Sequence, residues 1–167
     1  MYSIVVLDCD LISTFAKVDR IGLLEKIFTS GQLVITASVY NELLEVKQYG
    51  FDFPDKVMQS SIKLINISRD ERGVFEDFLQ DYRIHFGEAE GIAIVKCRNG
   101  VFITNDSKAV EFCKEKGVKV LNLKDVLRKI SADRVVTRAG MIKMIRDIED
   151  KDRTVIIGVD DILEEYI

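Results

Sequence analysis

IVVLD, residues 4–8, and VFITND, residues 101–106, are two short apolar runs that each end on acids or amides, and they decide how the chain reads. A continuous β-branched run of four residues fits a strand buried on both faces, as strands of a parallel sheet are. A third run, LVI at 33–35, follows Gly31 and precedes Thr36 and Ser38, either of which suits a helix N-cap. In the helix that follows, Val39, Leu43 and Val46 recur at helical intervals, with Glu42 in its opening turns.

Working outward, the periodicity predicts helices over 11–28, 70–82 and 87–97, then the Asn99-Gly100 turn and the strand at 101–103. A helix over 107–116 stops at Gly117 before a strand at 118–121. The segment 50–55, with the only proline, Pro54, reads as a loop, and IKLINI at 62–67 as a strand or extended connector. Helices are expected over 124–130 and 134–149, the second carrying Val135, Ala139, Ile142, Ile145 and Ile148 on one stripe. A strand-like piece at 154–157 and a short terminal helix at 160–166 complete the chain. Strands alternating with helices argue for an α/β domain built on a parallel sheet with right-handed crossovers.

At 167 residues the chain has the length of one domain, and 47% hydrophobic content supplies a core without disulfide or metal staples. Cys9, Cys97 and Cys113 form no C-x-x-C pair and leave one thiol over under any pairing, which excludes a zinc ribbon and suits a reducing compartment. The first residues have no basic flank, and no apolar run approaches the roughly 20 residues of a membrane span. A cytoplasmic location is expected. The net charge of −4 hides a segregation: residues 96–146 carry 13 basic and 5 acidic side chains, whereas 147–167 carry 2 and 8. Such a block is either a solvated helical face or a phosphate-binding surface.

In an open parallel sheet, ligands gather outside the carboxyl ends of the strands. Asp8 and Asp106 stand where two strands run out. Glu42 and Glu88 fall near the starts of helices that begin at the same edge, so all four are expected to converge. Each carboxylate raises the pKa of the next, and a hard divalent cation, Mg²⁺ or Mn²⁺, is what neutralises such a group. A helix-dipole role accounts for Glu42 or Glu88 singly. Glu90 leaves its helix about 200° from Glu88 and is expected to serve an ion pair. Asp10 stays open, and His85, the only histidine, is expected to be structural.

The stretches IVVLDCDLISTFAKVDRIGLLEKIF, LVITASVYNELLE, FGEAEGIAIVKC and VFITNDSKAVEFCKEKGVKVL resemble the PIN-domain family in order, spacing and context across residues 2–130. The resemblance implies a three-layer α/β/α domain over 1–130, with 131–167 as a C-terminal helical extension packed on it. It implies a divalent-metal-dependent ribonuclease, with Asp8 as the first-strand acid, Glu42 as the acid of the second-strand helix, Glu88 as the third acid and Asp106 as the aspartate of the T-x-D motif, here Thr104-Asn105-Asp106. By the same resemblance Asp8, Glu88 and Asp106, with Glu42 direct or through water, hold Mg²⁺ or Mn²⁺. Thr104, Asn105 and Ser107 support them from behind, with Ser107 also suited to cap its helix. RNA is the implied substrate, contacted by Lys96, Arg98, Lys108 and Arg138. VapC-type toxins belong to the family, so an antitoxin protein and a second copy of the chain are further implied partners. Cys9 and Asp10 depart from the small hydroxyl residue common after the first aspartate, and GEAEGIAIV resembles a PIN-like branch of nucleic-acid-binding proteins more than the toxins.

Two other readings remain at this stage. Asp8-Cys9-Asp10 also resembles the D-x-D strand end of haloacid-dehalogenase phosphatases, with the acids of GVDD at 158–161 in a later motif; that reading leaves Glu42 and Glu88 unemployed. A non-catalytic RNA- or protein-binding module on the same scaffold is the other.

Overall fold

The computed structural model describes residues 2–167. Five strands, β1 (Ile4–Leu7), β2 (Gln32–Thr36), β3 (Lys63–Ile65), β4 (Val101–Ile103) and β5 (Val120–Leu121), form one sheet in the order β3-β2-β1-β4-β5. Every pairing is parallel. Side chains alternate across the pleat and divide the core in two. Val5, Leu7, Leu33, Ile35, Val101 and Ile103 face one cluster, and Ile4, Val6, Val34 and Phe102 face the other.

The first face is covered by α1 (Cys9–Lys17), α2 (Ile21–Ile27), α3 (Ala37–Gln48), α4 (Phe53–Met58), α8 (Leu123–Ala132), α9 (Arg138–Lys151) and α10 (Val159–Glu164). The second is covered by α5 (Arg72–Phe78), α6 (Phe86–Arg98) and α7 (Ser107–Glu115). The molecule is thus a three-layer α/β/α sandwich. No helix among the described residues is long and apolar enough to cross a membrane.

The helix expected over 11–28 is two helices, because Asp19 turns left-handed at φ 57° between α1 and α2. The expected loop at 50–55 instead enters α4, where Pro54 sits in the first turn, the one part of a helix that spares its missing N–H. The strand-like 154–157 has no strand beside it and is an irregular connector, held where Glu149 accepts the Ile156 N–H at 3.0 Å. Helix α9 starts at Arg138 with Thr137 as its cap, and the residues it buries are Met141, Met144, Ile145 and Ile148. The stripe expected from Val135 to Ile148 is therefore rotated, and its buried part packs into the chain's own core.

Helix α6 is buried along eight consecutive residues, Glu88 to Val95. Gly91 allows that depth: a Cβ there would stand 2.7 Å from Phe102 Cε2 and 3.2 Å from Val6 Cγ1. This close seating on β1 and β4 fixes where the start of α6 meets the sheet edge. Gly91→Ala is expected to destabilise the protein by about 1–3 kcal/mol, the usual range for overpacking, read as a lower urea midpoint with unchanged slope.

Candidate functional site

The strand order reverses between β1 and β4, and the helices that follow these two strands, α1 and α7, leave toward opposite faces. A crevice opens at such a point outside the carboxyl ends of the strands. Asp8 and Thr104 lie there side by side, since Leu7 pairs with Ile103 and the Asp8 N–H donates to the Ile103 carbonyl at 2.9 Å. The buried Thr104 hydroxyl donates to Asp8 Oδ2 at 2.7 Å and accepts the Asp106 N–H at 3.1 Å. Asp8 Oδ1 accepts the Cys9 N–H at 2.9 Å.

Asp106 caps α7, taking the Lys108 and Ala109 amides at 2.8 and 3.0 Å on Oδ1. Its Oδ2 has no hydrogen-bond partner among the described residues. The cap is Asp106 and not Ser107, which is exposed in the first turn. Glu88 Oε2 accepts the His85 N–H at 2.8 Å, the reciprocal half of a capping box. Glu42 lies against the same helix start, where a Cβ on Gly87 would meet its Oε1 at 3.1 Å.

The charges of these groups feel one another. Burial raises the Asp8 carboxyl and Asp106 raises it further, against the Thr104 and Cys9 hydrogen bonds. Burial likewise lifts Glu88, with Asp8 and Asp106 adding to it, and lifts Glu42, with Asp8 adding to it. The four acids expected to converge therefore share one electrostatic field.

Asp10 belongs to the same group, although its sequence context left it open. It stands three residues past the strand end, partly open to solvent, and its carboxylate accepts the Leu11 N–H at 2.6 Å and lies near the Asn105 backbone. Partial loss of solvent around the carboxylate and then the Asp8 charge push it to about 7. Burial and the Glu42 carboxylate push the Cys9 thiol to about 12, so it stays protonated beside the acids. The D-C-D spelling was the available signal for Asp10.

Glu90 is not an ion-pair partner. It is buried on the side of α6 facing α3, where Oε2 accepts the Ser38 N–H at 3.3 Å. Among the described residues no three His, Cys, Asp or Glu side chains stand in a ready coordinating arrangement, in keeping with Asp106 and Glu88 being engaged at helix starts.

The basic residues divide. Lys108 is exposed beside Asp106. Lys96 and Arg98 end α6 at the opposite edge of the sheet, where Ser3 Oγ donates to the Arg98 carbonyl at 2.8 Å and Lys96 Nζ to the Lys116 carbonyl at 2.7 Å. The Arg98 guanidinium is held by Glu71. Arg138 is also remote, the first residue of α9, which starts beyond the far end of α8 near Val136 and Tyr166.

Crowding of acids fixes the sign of a pH effect. Asp10 ionises at an ordinary 3.8 when unfolded and at about 7 in the folded chain. The native state then binds the extra proton between these values, so the Asp10 contribution to stability falls as pH rises through that window. In cation-free buffer Asp10→Asn is expected to gain in melting temperature over the unsubstituted protein progressively from pH 4 to pH 7 and no further above it.

A PIN-domain family model matches residues 4–155. No curated protein matches the chain. The family match spans all five strands and every acid of the crevice, and the chain belongs to the PIN-domain family.

Proposed function

We propose that this protein is a divalent-metal-dependent endoribonuclease that hydrolyses RNA phosphodiesters. The observation that carries the reading is the shared field of Asp8, Glu42, Glu88 and Asp106 at the switch point of the sheet. Membership of a family of nuclease folds supports it.

The donor set fits Mg²⁺ or Mn²⁺. Every acid in the crevice is a hard oxygen donor, and burial with mutual repulsion has raised the pKa of Asp8, Asp10, Glu42 and Glu88, a cost that a cation relieves. Asp8, Glu88 and Asp106 would hold the ion, with Glu42 direct or through water. Bound there, a divalent cation lowers the pKa of a water and polarises the phosphodiester. Thr104 fixes the Asp8 carboxylate through its hydroxyl and so positions it. Asn105 and Ser107, exposed on either side of Asp106, would orient a phosphate. Lys108 adds a positive charge next to them. Water adds across a P–O bond, its oxygen going to phosphorus and its proton to the departing O3′, to leave a 5′-phosphate and a 3′-hydroxyl.

Of the four basic residues first expected to hold RNA, Lys108 is the one retained in this proposal. The phosphatase reading loses support because Asp161 of its later motif is taken up by Lys124, and because it gives no role to Glu42 or Glu88, whose carboxyls feel the Asp8 charge. A role as the toxin of a toxin–antitoxin pair, with an antitoxin and a second copy as partners, is one setting for the same chemistry.

Asp8→Asn is expected to abolish Mn²⁺-dependent cleavage of generic RNA while melting at or above the temperature of the unsubstituted protein in cation-free buffer. Cleavage that survives this change, or that survives chelator, overturns the metal-site assignment. Calorimetric titration with Mn²⁺ should show Glu88→Gln weakening binding far more than Glu90→Gln; equal losses would put Glu90 in the ligand set.

A further inference from the structure

Beside the carboxylates lies a cleft of about 270 Å³. One wall is Asn105, Asn122, Leu123 and Lys124, at the carboxyl ends of β4 and β5, and the other is the 154–157 connector between α9 and α10. That connector is unusual. Ile156 is buried and anchors it to the core, whereas Val155 and Ile157 on either side are 79% and 83% exposed. Both line the cleft and leave most of their apolar surface uncovered there.

We infer that this cleft receives a nucleobase of the RNA strand, from the nucleotide adjoining the scissile phosphodiester; the inference rests on the ribonuclease reading. Three observations lead there. The cleft adjoins the acids, because Asn105 in its lining immediately precedes Asp106. Its lining pairs aliphatic faces with amide edges: Asn122 spends Oδ1 on the Asp125 N–H at 2.9 Å and keeps its NH₂ group to donate, while the exposed Asn105 offers both a donor and an acceptor. Apolar contact on the face of a base with hydrogen bonds to its edges is how extruded bases are held, and amide side chains are suited to paired contacts with a base. Its volume falls just below the roughly 300–1,000 Å³ of drug-sized sites, a size suited to a single base. Lys124 closes the rim of the cleft, its ammonium held by Asp161. The cleft would thus select the base at the cut, a choice the carboxylates alone cannot make.

Val155→Asp, Ile157→Asp and Asn105→Ala provide the test, since the first two residues are exposed. Binding of the four nucleoside 5′-monophosphates is measured by NMR titration without divalent cation, and base preference is read from the cleavage pattern on a mixed-sequence RNA with Mn²⁺. The expected result is millimolar binding of at least one monophosphate, with shifts at Asn105, Asn122 and 154–157. Each variant should weaken it about fivefold or more, the lower end of one paired amide contact, at unchanged melting temperature, and should flatten the cleavage preference. No binding by the unsubstituted protein, or variants with unchanged binding and preference, overturns the inference while leaving the nuclease reading intact. A change in sedimentation with nucleotide binding unaltered would make the patch a protein contact and also overturns it. Absence of RNA cleavage by the unsubstituted protein counts against the nuclease reading instead, and the metal-free titration still decides whether the cleft takes a nucleotide.

Discussion

Pairing of β1 with β4 is the constraint on which the rest depends. The register that sets Leu7 opposite Ile103 brings the next residues, Asp8 and Thr104, into hydrogen-bonding contact at 2.7 Å. Because the order of strands reverses at this pair, the same pairing opens the crevice and supplies the first acid within it. A slip of one residue would send Val101 and Ile103 to the face now held by Phe102, and would part Thr104 from Asp8. Gly91 reinforces the register from above, since α6 seats between Val6 and Phe102 only without a side chain there.

The acids also hold the helices that surround them. Asp8 accepts at the start of α1, Asp106 caps α7, and Glu88 closes the first turn of α6. Three helix N-termini therefore direct amides and the positive ends of their dipoles at one crevice, where each favours a nearby negative charge. A cap of this kind stabilises a protein by about 1 kcal/mol, which offsets part of the repulsion that raises Asp8 and Glu88. Capping and cation binding are thus not competing explanations of these residues. The caps make a cluster of acids tolerable in the folded chain, and the residual repulsion is what a cation would relieve.

What was legible in the sequence follows from which physics is local. Four apolar residues before Asp8, and three before Thr104, mark buried strands and their exits without knowledge of the partners, so the sheet edge was legible, with Asp8 and Asp106 just past two strand ends. The split between α1 and α2 was hidden because Asp19 carries a left-handed turn that its residue type permits but does not demand. Helix α4 was hidden because proline signals a break and a first helical turn alike. Asp10 could not be assigned from spacing, since its membership depends on the Asn105 backbone reaching it from another strand exit. Glu90 shows the same limit: the helical period placed it away from Glu88, yet only the packing of α3 against α6 reveals that its partner is the Ser38 amide and not a base.

Charge segregation along the chain illustrates the difference between a block in sequence and a surface in space. The basic run of 96–146 and the acidic run of 147–167 meet where α10 packs on α8, with Asp161 on Lys124 and Glu165 on Arg128 at 2.7 Å. Another basic pair, Lys96 and Arg98, lies at the wrong end of α6 to meet a substrate in the crevice. Exposed ion pairs of this kind add little to stability, typically under about 1 kcal/mol, so their effect is chiefly on the field: they cancel much of the positive potential that a linear count suggests. On the ribonuclease reading, an RNA strand approaching the acids would meet the exposed Lys108 rather than a broad basic face. With so little non-specific attraction available, recognition on that reading would rest on short-range contacts close to the acids, in the crevice and the amide-lined cleft beside it.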